Sequence, residues 1–191
     1  MTRARIVLTG GPGGGKTTAC DLFRRELHPD VTVVAEAATL LFSGGFPRLA
    51  TPAAIRSTQL AIYHVQRHQE DVQSSLHPSG LLLCDRGTVD GAAYWPGTPA
   101  EFFEVAGTSL EAELRRYDAV LFFETAAGLR TSISSGNPWR IESEPEAAQL
   151  DQRLQDLWSQ HPRFVLVRHE PSFMAKIAHG LEALRTVIRG L

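Results

Sequence analysis

Lysine is almost absent from this chain: Lys16 and Lys176 are the only two, and every other basic residue is arginine. Cysteine is as sparse, with only Cys20 and Cys84, which have neither metal-ligand nor redox spacing. That excludes a disulfide framework and suits small core residues in a reducing cytoplasm. No apolar run approaches the roughly 20 residues of a membrane span, and the run after Met1 to Arg5 is too short for a signal peptide. A formal net charge of -2 argues against a broad nucleic-acid-binding face. No internal repeat or low-complexity linker divides the 191 residues, so one domain spanning 1–191 is expected.

One of the two lysines falls in the most informative stretch, Gly10-Gly11-Pro12-Gly13-Gly14-Gly15-Lys16-Thr17-Thr18. It fits G-x-x-x-x-G-K-[ST], the phosphate-binding P-loop. Glycines let successive backbone N–H groups curl round an anionic phosphate chain. Lys16 then reaches the β and γ phosphates, and Thr17 can hold Mg²⁺. The context agrees with the mechanism: Ile6-Val7-Leu8 precedes the loop as a strand, and Ala19, Leu22, Phe23, Glu26 and Leu27 follow as a helix with one apolar face. That helix aims its partly positive N-terminus at the phosphates.

Strand-like runs recur at Arg5 to Thr9, Val31 to Ala35, Leu81 to Cys84, Ala119 to Phe123 and Phe164 to Val167, with helical stretches between them. Alternation of this kind predicts an α/β fold, a parallel sheet covered on both faces, with ligands at the carboxyl ends of the strands. Gly10, Glu36, Asp85, Glu124 and Arg168 to Glu170 all lie just past strands, on the P-loop edge; Asp118 precedes its strand and belongs to the opposite edge. Thr51-Pro52 opens a long helix with an apolar stripe of Ile55, Ile62, Val65, Val72 and Leu76. Thr98 to Glu101 and Ser143 to Glu146 have capping-box spacing, and a last helix runs from about Ser172 to Arg189.

Leu81-Leu82-Leu83-Cys84-Asp85-Arg86-Gly87 is a Walker B arrangement, in which Asp85 can hold Mg²⁺ or its water shell and Arg86 can meet a substrate anion. The plainer alternative is a pair that caps the next segment. Glu36 faces the acceptor side of the phosphate site, either as a base for a substrate hydroxyl or as a first-turn helix glutamate. The stretch 126–142 is rich in small and turn-forming residues and contains Arg130 and Arg140, as a lid over a triphosphate needs; a solvated loop is the alternative. Tyr94-Trp95 can wall an acceptor pocket or join the core. His64, His68 and His77 lack metal spacing and suit a solvated helix face.

Taken together, these residues resemble the small P-loop ATPase and kinase-like family that includes the AAA domain of TRPL-translocation-defect proteins. They are more distantly similar to nicotinamide-riboside kinase domains, thymidylate kinases and deoxynucleoside kinases. The P-loop, Glu36-Ala37-Ala38, Asp85 to Gly91 with Tyr94-Trp95, and Arg140-Ile141-Glu142 with Asp151 and Trp158 to Pro162 carry the likeness. It implies a P-loop NTPase fold of five parallel strands ordered 2-3-1-4-5, a lid bearing Arg130 and Arg140, and Glu36 and Arg86 facing the acceptor. It further implies that Arg168 and His169 lie near the nucleotide base. The chain ends after the P-loop domain, so the translocation-defect proteins' membrane or lipid roles are not expected here.

The expected function is Mg²⁺-dependent transfer of the γ-phosphate of ATP, or of GTP, to a nucleoside- or nucleotide-like or other small hydroxyl acceptor. A nucleotide-dependent switch that regulates a protein partner is the alternative. A ring-forming motor is disfavoured by the short chain, and a conventional GTPase by the lack of Asn-Lys-x-Asp. A cytoplasmic monomer or homodimer, binding neither nucleic acid nor membrane, completes the expectation.

Overall fold

The computed structural model describes residues 4–125 and 143–191. Its five parallel strands are β1 (Ala4–Thr9), β2 (Val31–Val34), β3 (Leu81–Asp85), β4 (Ala119–Phe123) and β5 (Phe164–Val167), ordered β2-β3-β1-β4-β5. Number, direction and order are those the sequence led us to expect. Between the strands lie α1 (Lys16–Leu27), α2 (Ala37–Ser43), α3 (Pro52–Leu76), α4 (Asp90–Tyr94), α5 (Pro99–Val105), α6 (Leu110–Leu114) and α7 (Glu144–Trp158), and α8 (Phe173–Arg189) follows β5.

The two-residue period of the central strands divides the core into two halves. Ile6 and Leu8, Leu81 and Leu83, and Leu121 and Phe123 pack with Phe23 of α1 and Ile177 and Leu184 of α8. Val7, Leu82 and Cys84, and Val120 and Phe122 pack with Tyr63 of α3, Phe102 of α5 and Trp158 of α7. The two cysteines are both buried free thiols, and they belong to opposite halves of the core. Emptying a fully buried phenylalanine site such as Phe122 costs about 3–5 kcal/mol.

Helix starts follow their capping signals. The Thr51 hydroxyl accepts from the Ala54 N–H at 3.3 Å, and Thr98 and Glu101 complete a reciprocal capping box. The Glu146 carboxylate accepts from both the N–H and the hydroxyl of Ser143, at 2.8 and 2.7 Å.

The expected stripe on α3 needs correction. Val72 and Leu76 are exposed, whereas Thr58, Tyr63, Gln66 and Glu70 are the buried residues of that helix. The cause is polar. The fully buried Glu70 carboxylate accepts from Arg5 (3.1 Å), Arg116 (2.9 Å), the Tyr117 hydroxyl (2.7 Å) and Gln66 (3.2 Å), and this network sets which side of α3 faces inward. Asp118 accepts from the Arg5 N–H at 2.7 Å, at the edge opposite the P-loop as expected.

Candidate functional site

The chain leaves β1 at Thr9 and turns through the glycine loop into α1. Gly10 has φ 134°, and a Cβ there would collide with the Phe123 carbonyl of β4, so the loop can lie directly on the sheet edge. Lys16, the first residue of α1, is 1% exposed and donates from Nζ to the Gly11 carbonyl at 2.7 Å. Thr17 and Thr18 follow on the exposed first turn.

Two later helices hold the loop. Asp151 of α7 accepts from the Gly11 N–H at 2.6 Å and from the Thr125 N–H at 3.2 Å, and the Thr125 hydroxyl donates to the Pro12 carbonyl at 2.6 Å. Lys176 of α8 donates to the carbonyls of Gly14 (2.9 Å) and Glu124 (2.5 Å). Burial lowers the pKa of Lys176 to about 8, against the opposing pull of Asp151 and Glu124.

β3 delivers Asp85, 3% exposed, to the same edge. Among the described residues its Oδ1 has no hydrogen-bond partner, although a side-chain hydrogen bond joins the carboxylate to Thr17. Burial, and after it the charge of Glu36, raise the Asp85 pKa; Thr17, Lys16 and Arg86 pull the other way. A buried carboxylate oxygen without a partner, beside a hydroxyl and a phosphate-binding loop, fits the needs of Mg²⁺. That ion takes few protein ligands and completes its shell with phosphate and water. Among the described residues no cluster of three His, Cys, Asp or Glu side chains could hold a metal, and His64, His68 and His77 are exposed.

Arg86 is, among the described residues, the one non-glycine residue with positive φ, at 72°. This costly backbone state is held by hydrogen bonds on both sides: its N–H donates to Leu8 at 2.9 Å and its carbonyl accepts from Gln66 at 3.2 Å. The side chain is thereby aimed between two acids. Nε donates to Glu36 at 2.5 Å and Nη1 to Asp90 at 2.8 Å, while the guanidinium lies 5.9 Å from the centre of the Tyr94 ring. Asp90 also accepts from the Thr9 hydroxyl (2.9 Å) and the Trp158 indole (2.7 Å).

Glu36, at the N-terminus of α2, accepts from the Thr39 hydroxyl as well as from Arg86. Burial alone would raise its pKa, but Arg86, Thr39 and Lys16 outweigh that and hold it below the usual carboxylate range. Gln66 links the two loops, for its Oε1 accepts from the Ala37 N–H at 3.3 Å while its Nε2 donates to the Arg86 carbonyl.

A cavity of about 480 Å³ opens beside these groups. Pro12 of the P-loop, Glu36, Arg86 and Asp90 line it, together with apolar surface from Phe42, Leu49, Ile55, Ile62, Tyr94 and Leu150. Its size suits a small molecule, and Glu36, Arg86 and Asp90 line it together with Pro12 of the phosphate loop. Tyr94 is a wall of this cavity as expected; Trp95 instead joins the core against Phe102.

Of the residues singled out from sequence, Gly10 to Thr18, Asp85, Arg86 and Glu36 converge on this edge. Arg168 and His169 follow β5 there too, with the His169 N–H donating to Glu124 at 2.8 Å. Arg130, Arg140 and the expected lid lie outside the described residues. Sequence reasoning passed over Gln66, Asp90 and Lys176 as site residues. Lys176 had a signal in the scarcity of lysine, and Asp90 in its spacing of one helical turn from Arg86.

The family described as "AAA domain" matches residues 5–172. No curated protein matches. Among solved structures, deoxyadenosine kinase from M. mycoides with bound dATP is similar with a TM-score of 0.66 at 13% identity, covering 95% of this chain and 99% of that one. Thymidylate kinase from Ehrlichia chaffeensis is similar with a TM-score of 0.64 at 13% identity, covering 98% and 100%. At such identities the likeness establishes the small P-loop kinase fold.

Proposed function

The chain belongs to the AAA-domain family, with a fold shared by nucleoside and nucleotide kinases, and on that premise we propose that it is a Mg²⁺-dependent small-molecule kinase. It would move the γ-phosphate of ATP, or of GTP, to a hydroxyl of a small acceptor bound in the cavity. The observation that carries this reading is the continuity of that cavity with the P-loop, through Pro12 on one side and Glu36, Arg86 and Asp90 on the other. A protein that only bound and slowly hydrolysed nucleotide would need no such space.

In this reading the P-loop N–H groups and Lys16 bind the triphosphate, and Thr17 and Asp85 hold Mg²⁺. Bound there, the ion would neutralise charge on the phosphates. Glu36 is kept ionised by Arg86 and Thr39. It accepts the proton of the acceptor hydroxyl as the new P–O bond forms and the bond to the β-phosphate oxygen breaks. A carboxylate with a lowered pKa is a weak base, but a loose phosphoryl transition state asks for little proton removal before it is reached. Arg86 orients Glu36 and borders the acceptor. Arg130 and Arg140 would belong to the lid, and Arg168 and His169 to the base side. We place this single nucleotide-binding unit in the cytoplasm, which its two free thiols support.

The test is a screen of purified protein with Mg²⁺-ATP and Mg²⁺-GTP against pools of nucleosides, nucleotides, sugars and other alcohols, with Lys16→Ala as control. A phosphorylated product formed from one pool supports the kinase. Slow hydrolysis unaffected by every pool contradicts it and favours a nucleotide switch.

A further inference from the structure

We propose that Phe173 is the platform on which the base of the nucleotide stacks, so that the site holds a purine triphosphate by the face of its ring and takes ATP and GTP alike. This rests on the nucleotide-binding half of the kinase reading and not on the identity of the acceptor. The argument starts on α8. Its buried residues are Lys176, Ile177, Gly180 and Leu184, an inward stripe at helical spacing. Phe173 lies one turn earlier on the same stripe, three residues before Lys176 and four before Ile177, yet it is 46% exposed. The stripe has run past the end of the core and carries an open aromatic ring there.

What the ring rests on is the P-loop. A Cβ on Gly15 would come within 2.6 Å of the Phe173 ring, which therefore packs against the glycine that precedes Lys16. This first turn of α8 is pinned at two points: the Ser172 hydroxyl accepts from the Ala175 N–H at 3.3 Å, and Lys176 donates to the Gly14 carbonyl at 2.9 Å. The sheet order supplies the direction. Glu36 follows β2, and Arg86 and Asp90 follow β3, on one side of β1, whereas α8 follows β5 on the other. A triphosphate laid in the loop with its transferable end at Glu36 and Arg86 directs its sugar and base toward the β4 and β5 side, to which Phe173 belongs. Phe173 takes no part in lining the acceptor cavity. Every base has a π face, so an aromatic platform rewards the presence of a base more than its identity.

The experiment titrates the full chain by calorimetry, in Mg²⁺, with non-hydrolysable analogues of ATP and GTP and with tripolyphosphate, which has the phosphates and no base. The two analogues should bind within about threefold of each other and at least about tenfold tighter than tripolyphosphate. Phe173→Ala should weaken both analogues by about tenfold and leave tripolyphosphate unchanged, and Phe173→Trp should keep the analogues within about twofold of the unaltered chain. Because tripolyphosphate reports on the P-loop alone, its unchanged binding shows that the loop is intact in the variant. Equal weakening of all three ligands makes Phe173 a prop for the loop and overturns the proposal. Analogue binding indifferent to Phe173→Ala, or a preference beyond about tenfold between the two bases, also overturns it. No binding of any of the three contradicts the nucleotide reading and removes the platform with it. Binding that follows the prediction, without a phosphorylated product in any pool, contradicts the kinase step alone and leaves the platform standing.

Discussion

Arg86 Nε donates to Glu36 Oε1 at 2.5 Å, joining the loop after β3 to the loop after β2 across the floor of the cavity. The pair keeps Glu36 charged and fixes where it points. Glu36→Gln should leave ATP affinity within about twofold and lower the rate of transfer by about 10²- to 10⁴-fold, the range for a positioned general base. Nucleotide titration and product formation, measured side by side, check the two halves. An unchanged transfer rate removes Glu36 as the base.

Removing Arg86 is a different experiment. Arg86→Gln leaves Glu36 and Asp90 largely buried without their cation, and breaking such a pair costs about 3–5 kcal/mol. Denaturant unfolding should report a loss of that size along with loss of transfer.

Gln66 touches neither the P-loop nor, in this reading, the substrate. Its amide instead holds the Ala37 N–H and the strained Arg86 carbonyl. Gln66→Leu should cost about 1–3 kcal/mol in stability from the polar groups it strands. It should also lower kcat more than it raises the KM for ATP. Gln66→Glu keeps the acceptor for Ala37 but loses the donor to Arg86 and meets the buried Glu70, so it should not rescue.

Lys176 titrates where its effect can be followed. Its pKa in the fold is about 8 against an ordinary value of 10.5, so between those values the unfolded chain binds more protons than the folded one. Its contribution to stability therefore rises with pH across that window, by at most about 3 kcal/mol, and is flat below and above it. Lys176→Met should flatten the rise. Loss of the proton also weakens the bonds to Gly14 and Glu124, so nucleotide affinity should fall above about pH 8 while the Lys176 contribution to stability rises. Denaturant midpoints and nucleotide affinities measured from pH 7 to 10.5 check both trends.

Local pattern carried most of this site. The P-loop glycines, Lys16, Thr17, Asp85 and Glu36 stand out because each follows an apolar strand, and a parallel sheet gathers strand ends at one edge. Five parallel strands were likewise legible, while their order was what the family resemblance implied. What α3 does with its buried face was not, because Glu70 is buried through partners far away in sequence, Arg5, Arg116 and Tyr117. Nothing in a periodic count of apolar residues reveals that. Asp151 and Lys176 escaped as loop supports for the same reason: each reaches across the chain to a glycine of the P-loop.

The central claim is that ATP turnover here ends on an acceptor. The most direct measurement is the fraction of consumed ATP recovered as phosphorylated acceptor rather than inorganic phosphate, with the best acceptor pool at saturation. The account predicts a fraction near one, abolished by Lys16→Ala. ATP consumed with inorganic phosphate as the sole product, at the same rate with and without acceptors, would contradict it.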